Sequence, residues 1–149
     1  MRAYRTVIWG LAAASFFAGG TGTPDSLRKV AERSGILVGA AVRPEQLSED
    51  EYAKTLASEF NMLEPEDAMK WETVHPTVDR FDFSQADRIV EFAISQQMKI
   101  RGHTLVWHRQ NPKWLMDRDY NPVELRQILE RHIKTVVRHY RGKSLPGMW

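Results

Sequence analysis

Cysteine is absent from the 149-residue chain. That excludes a disulfide framework and any thiolate metal centre, and it fixes no compartment. Long hydrophobic runs are also lacking. The apolar stretch Val7 to Ala18 covers about a dozen residues, short of the roughly 20 that a spanning helix needs. Nor is there an excess of one charge. Of 21 Lys and Arg, Arg2 and Arg5 precede that apolar stretch, and the remaining 19 equal the 19 Asp and Glu. With no basic stripe and no zinc-finger spacing, no nucleic-acid partner is expected. Internal repeats and low-complexity segments are missing too.

What is present begins with a leader. Two arginines, the short apolar run and the small residues Ala18-Gly19-Gly20 follow the order of a secretory signal peptide. Residues 1–20 are expected to be removed, leaving a secreted or periplasmic chain with no further membrane association. A membrane anchor or a buried helix is the alternative for that run. Beyond it, 42% hydrophobic and 27% charged residues describe a globular chain long enough for one domain with a core.

Apolar runs and helical periods alternate. Ile36 to Ala41 predicts a buried strand. A helix follows from Ser48, with Glu51 completing a capping box and Tyr52, Leu56 and Phe60 on one face. Phe60 to Leu63 predicts a second strand, which Pro65 ends because it donates no amide hydrogen. Phe81-Asp82-Phe83 leads to a helix with Ser84 as N-cap, continuing through Ile89, Val90, Ala93 and Ile94. A third strand is expected from Ile100 to Trp107, opened by Lys99. The third helix starts at Asn121, with Pro122 in its first turn and Glu124 at the third position. Its wide apolar face includes Val123, Leu125, Ile128, Leu129, Ile133, Val136, Val137 and Tyr140, and Gly142 stops it.

Three strand-helix units in series predict an α/β fold with a parallel sheet. An open doubly wound sheet usually carries a Gly-rich phosphate turn after its first strand. Ala41-Val42-Arg43-Pro44-Glu45 has none. Polar and aromatic residues gather instead after strands two and three, where barrel enzymes build their sites.

Two clusters hold the candidate chemistry. Glu64-Pro65-Glu66-Asp67-Ala68-Met69-Lys70-Trp71-Glu72 crowds carboxylates, a lysine and a tryptophan at a strand end. Glu64 and Glu66 are not expected to form a glycosidase pair. Such carboxyls stand about 5–5.5 Å apart across a sugar, whereas residues two apart on a strand lie side by side. A solvated charged loop is the competing reading. In Gly102-His103-Thr104-Leu105-Val106-Trp107-His108-Arg109-Gln110, a regular strand places His103, Leu105 and Trp107 on one face. Imidazole suits sugar hydroxyls and indole the apolar ring face, although packed core residues have the same pattern. His103 and His108 fall on opposite faces, so no zinc site is expected.

Together the clusters resemble glycoside hydrolase family 10. Glu66 to Trp71 is similar to that family's Glu-Asn-x-Met-Lys-Trp motif, and Gly102 to Gln110 to its third-strand motif. Phe81-Asp82-Phe83, Ala86-Asp87 and Pro112 before Trp114 also fit. The resemblance runs from about Gly39 to Lys143 and implies a (β/α)8 TIM barrel, here its first three βα units. It further implies an endo-1,4-β-xylanase that retains configuration, needs no cofactor and is monomeric at full length. By the same resemblance Glu66, Asp67 and Lys70 bind the sugar beyond the cleaved residue. His103 and Trp107 line the cleaved sugar's subsite, and Gln110 a neighbouring one. Asp67 replaces the family's asparagine, and a carboxylate cannot donate as an amide does.

The resemblance places the family's acid/base glutamate shortly after Gly142-Lys143, and its nucleophile on a later strand. Residues 144–149, Ser-Leu-Pro-Gly-Met-Trp, carry neither. Residues 21–143 are therefore expected to be the N-terminal part of such a barrel and 144–149 a divergent tail, from a frameshift, early stop or broken gene model. No catalytic residue is assigned. Such a piece is expected to be inactive alone and prone to aggregate, with xylan or xylo-oligosaccharides as its partner. A non-catalytic xylan-binding protein is the alternative.

Overall fold

The computed structural model describes residues 25–143. The expected leader (1–20) and the expected divergent tail (144–149) lie outside the described residues.

Three short strands form one parallel sheet in chain order: β1 (Gly39–Val42), β2 (Met62–Pro65) and β3 (Lys99–Ile100). Gly39 pairs with Met62 and Val42 with Pro65, while Met62 and Leu63 pair with Lys99 and Ile100. A Cβ on Gly39 would sit 2.8 Å from Met62 Cε and 3.0 Å from Met62 O, so the first ladder contact requires glycine. Around the sheet lie α1 (Leu27–Arg33), α2 (Asp50–Glu59), α3 (Trp71–Val74), α4 (Ser84–Ser95), α5 (Lys113–Met116) and α6 (Pro122–His139), with a 3-10 turn at Pro44–Ser48. Val42, Leu63 and Ile100 from the strands join Leu56, Ala86, Ile89, Val90, Ala93, Val136 and Tyr140 in a single core. Burying these apolar side chains stabilises the fold by roughly 25 cal/mol per Å² removed from water.

Several boundaries depart from the expected ones. β1 begins at Gly39 rather than Ile36, and Ile36 is 59% exposed. The chain before β1 is held by buried Asn61, whose Oδ1 accepts from Val38 N at 2.8 Å and whose Nδ2 donates to Ile36 O at 2.9 Å. β2 runs two residues later than expected and ends on Pro65; Glu66 N resumes bonding to Val42 O at 2.9 Å. Ser48 closes the 3-10 turn, so the Ser48–Glu51 capping box does not form and Glu49 is the N-cap of α2. Ser84 is the first residue of α4, not its cap; Asp82 Oδ1 accepts from both Ser84 N and Ser84 Oγ.

The largest correction concerns the third strand. β3 has only two residues instead of reaching Trp107. Its last ladder bond runs from Arg101 N to Leu63 O, 3.0 Å, and residues 102–107 follow an irregular path with a cis peptide between His103 and Thr104. α6 matches its expected start: Asn121 Oδ1 accepts from Val123 N and Glu124 N, and Glu124 Oε2 accepts from Asn121 N. Its fully buried positions are His132, Val136 and the C-cap Tyr140. Among the described residues the rest of the expected apolar face is only partly covered, and Val123 is 65% exposed.

Candidate functional site

Because all three strands are parallel, their C-terminal ends lie on one side of the sheet. Arg43 follows β1, Glu66 to Lys70 follow β2, and Arg101 to Gln110 follow β3. Both sequence clusters therefore converge at this end, joined by Gln110. Its Nε2 donates to Asp67 Oδ1 and Glu72 Oε1, each at 3.2 Å, and its carbonyl accepts from Glu72 N.

Lys70 is the unusual member. Its side chain comes from the turn between β2 and α3, and the residue is only 3% exposed. The ammonium makes no hydrogen bond and no ion pair within 4.0 Å among the described residues. It sits 4.6 Å from the Trp107 ring centroid, in a cation–π contact. Burial draws its pKa downward, against the opposing pull of Asp67, Glu64 and Glu66. The result is a buried cation with donors to spare beside an aromatic face.

Glu64 and Glu66 do not lie side by side as alternation along one strand implies. Glu66 stands beyond the end of β2 and turns toward β1, where Arg43 grips it with two bonds, Nε to Oε2 at 3.0 Å and Nη2 to Oε1 at 2.9 Å. Arg43 Nη2 also lies 3.6 Å from Asp67 Oδ2. Glu64 turns toward β3 and pairs with Arg101, with its other oxygen 4.0 Å from His103 Nδ1. Burial lowers the His103 pKa, with Lys70 and Arg101 adding to that and Glu64 opposing it. The short length of β3 also removes the shared face assumed for His103, Leu105 and Trp107.

An aromatic column beneath this end holds the irregular segment. Trp71 stacks on His132 at 4.1 Å between centroids, and His75 stacks on Phe81 at 3.8 Å. Trp71 Nε1 donates to His75 Nδ1 at 3.3 Å, which leaves His75 Nε2–H to donate to Val78 O at 3.1 Å. His132 Nε2 lies 2.8 Å from Leu105 O, so the neutral ring donates there. Its Nδ1 is buried with no partner, and burial takes its pKa down to about 4. α6 thus reaches through the core to anchor the segment carrying His103 and Trp107.

All six expected site residues, Glu66, Asp67, Lys70, His103, Trp107 and Gln110, stand at this end of the sheet. Arg43, Arg101 and His132 are not singled out by the sequence pattern, and Glu64 is considered there only as half of a rejected carboxylate pair. Arg43 and Arg101 each directly follow a strand's last residue, which was a usable signal. His132 stands four residues before Val136 and eight before Tyr140, on the buried stripe of α6. Among the described residues no cluster of three or more His, Cys, Asp or Glu is arranged to hold a metal ion.

Comparison with known proteins assigns this end of the sheet a context. The sequence model of glycosyl hydrolase family 10 matches residues 26–146. Endo-1,4-beta-xylanase B of Thermotoga neapolitana is 43% identical over 120 residues, 78% of this chain and 35% of that protein. A beta-1,4-xylanase of Dictyoglomus thermophilum is 47% identical over 106 residues, 71% of this chain and 29% of that protein. Xylanase 10B from Thermotoga petrophila, solved in complex with xylobiose, superposes with a TM-score of 0.80 at 44% identity, covering 84% of this chain and 39% of that one. The chain spans about a third of the length of these relatives. Its three βα units correspond to part of their TIM barrel.

Proposed function

The chain belongs to glycosyl hydrolase family 10, and on that premise we propose that it supplies the non-reducing-side sugar surface of an endo-1,4-β-xylanase. Within that surface Glu66, Asp67 and Lys70 receive one xylose unit, His103 and Trp107 the next, and Gln110 holds the two loops together. The observation that carries this reading is Lys70: a buried ammonium with unused donors against the Trp107 face. A xylose ring offers hydroxyls to the ammonium and an apolar face to the indole. The leader-like residues 1–20 support export to the periplasm or the medium, and residues 21–143 act as the part of the barrel that binds.

The 149 residues by themselves bind without cleaving. Retaining cleavage requires two carboxyls facing each other across the sugar, and the carboxylates here are turned to neighbours: Glu64 to Arg101, Glu66 to Arg43, Asp67 to Gln110. Without a general acid the chemical step loses roughly 10²–10⁴-fold, and without a nucleophile the covalent route closes. These engaged carboxylates equally favour the second reading, a non-catalytic xylan-binding protein. Calorimetry with xylotriose, alongside reducing-end release from xylan, tests the proposal. Saturable binding that weakens at least about tenfold in Trp107→Ala, with no sugar release, is the expected result. Absence of binding in the unmodified chain, or binding indifferent to Trp107, overturns it.

A further inference from the structure

Glu64 lies outside the set of residues assigned to the sugar, yet its carboxylate divides between two partners in a specific way. Oε2 pairs with Arg101 across the β2–β3 seam, and Oε1 is left 4.0 Å from His103 Nδ1. At that distance the contact is electrostatic rather than a closed hydrogen bond. The carboxylate has no proton to give. A ring nitrogen with its lone pair aimed at this anion would be repelled, whereas an N–H there is attracted. The other charges around the ring are cations, Lys70 after β2 and Arg101 after β3, and neither accepts a hydrogen bond. His103 Nε2 makes no hydrogen bond among the described residues.

We propose that Glu64 is a positioning residue for His103: tethered by Arg101, its carboxylate holds the imidazole as the Nδ1–H tautomer and leaves Nε2 as an acceptor for a sugar hydroxyl. The proposal rests on the sugar-surface reading above for its purpose, though its physical core does not need a sugar. Division of labour at the surface follows from it. Lys70 can only donate to hydroxyls, and His103, so fixed, accepts from one. The pair together requires a hydroxyl network with both polarities, which a neutral pentose provides and an alkyl or aromatic ligand does not.

Nitrogen-15 imidazole spectra of the full 149-residue chain test this, with the His103 signals assigned by loss in His103→Gln. The unmodified chain is expected to show His103 mainly as Nδ1–H. Glu64→Met removes the acceptor at similar size, shifts the population toward Nε2–H and lowers the titration midpoint of the ring. Glu64→Gln, closest in shape, covers the case in which the methionine variant does not fold; its His103 midpoint falls because the charge is gone. An unmodified chain already dominated by Nε2–H, or populations and midpoints unchanged in the variants, overturns the proposal. Xylotriose affinity is measured on the same samples and is expected to drop severalfold in Glu64→Met. A tautomer shift with unchanged affinity overturns the positioning role. Absence of binding even in the unmodified chain sinks the sugar-surface reading instead, while the tautomer result stands separately.

Discussion

Acid is expected to unfold this protein in part through one side chain, His132. The ring is completely buried, stacked on Trp71, bonded by Nε2 to Leu105 O, and without a partner at Nδ1. The rings around it are Trp71, Phe81 and His75, none of them an anion that could compensate a second proton, and His75 itself opposes the charge. The pKa falls from 6.5 to about 4 on folding. Below pH 6.5 the unfolded chain takes up a proton that the folded chain refuses. Stability is therefore full above about pH 6.5 and declines progressively down to about pH 4, where the loss levels off. The gap between 6.5 and about 4, at roughly 1.4 kcal/mol per pH unit, amounts to about 3 kcal/mol. Against a typical domain stability of about 5–15 kcal/mol, that is a large share. His132→Phe keeps an aromatic ring on Trp71 and removes the titration. It also strands the Leu105 carbonyl, so the variant is weaker by roughly 1–3 kcal/mol at neutral pH. Urea unfolding followed by tryptophan fluorescence from pH 4 to 7.5 reads both effects. Titrating groups not coupled to the ring, His103 included, remain in both proteins and cancel in the difference. Between pH 6.5 and 4 the unmodified chain should lose about 3 kcal/mol more than the variant. Parallel curves would show that His132 accepts its proton freely in the fold, and the buried-neutral account would be wrong.

Three other outcomes are expected. Gly39→Ala places a methyl 2.8 Å from Met62 Cε and 3.0 Å from Met62 O, and the resulting strand displacement should destabilise by about 1–3 kcal/mol in urea unfolding. Asn121→Ala removes the acceptor for two amide hydrogens at the start of α6, and the same assay should register a loss of about 1 kcal/mol. Asp67→Asn keeps an oxygen for Gln110 while adding an amide donor; xylotriose calorimetry should show affinity rising about threefold with the melting temperature little changed.

Much of the fold was legible because local signals and tertiary packing agree where they are strong. Asn121-Pro122-x-Glu124 fixes the start of α6 through side-chain bonds that any helix of this sequence would make. The errors fall where long-range contacts overrule local pattern. Ile36-Leu37-Val38 has the composition of a strand, but Asn61, 23 or more positions away, supplies its polar partners and leaves Ile36 in solvent. Ser84 looks like a cap, but it is already the first helical residue, and its own amide and hydroxyl both donate to Asp82, two residues earlier. Gly102 to Trp107 alternates like a strand, yet the ladder available from β2 ends at Leu63 and the segment is tied instead to His132. The location of the candidate site at the C-terminal end of the sheet was readable from where its motifs fall. Its wiring, Arg43 on Glu66 and Arg101 on Glu64, depends on which residues follow adjacent strand ends, and no spacing within one segment encodes that.

The order of pairing in the sheet bears on how the chain acquires its structure as it is made. Each described strand bonds to the one synthesised before it: β2 to β1, then β3 to β2. A ribosome adds roughly 5–20 residues per second, whereas local helices and short loops form in microseconds. α2 can therefore be in place before β2 emerges, and β2 before β3. The segment bearing His103 and Trp107 is the exception. Its anchor, His132, arrives later, so the bond to Leu105 O can close only after α6 has left the exit tunnel, and the order of synthesis sets the frame before this last tie.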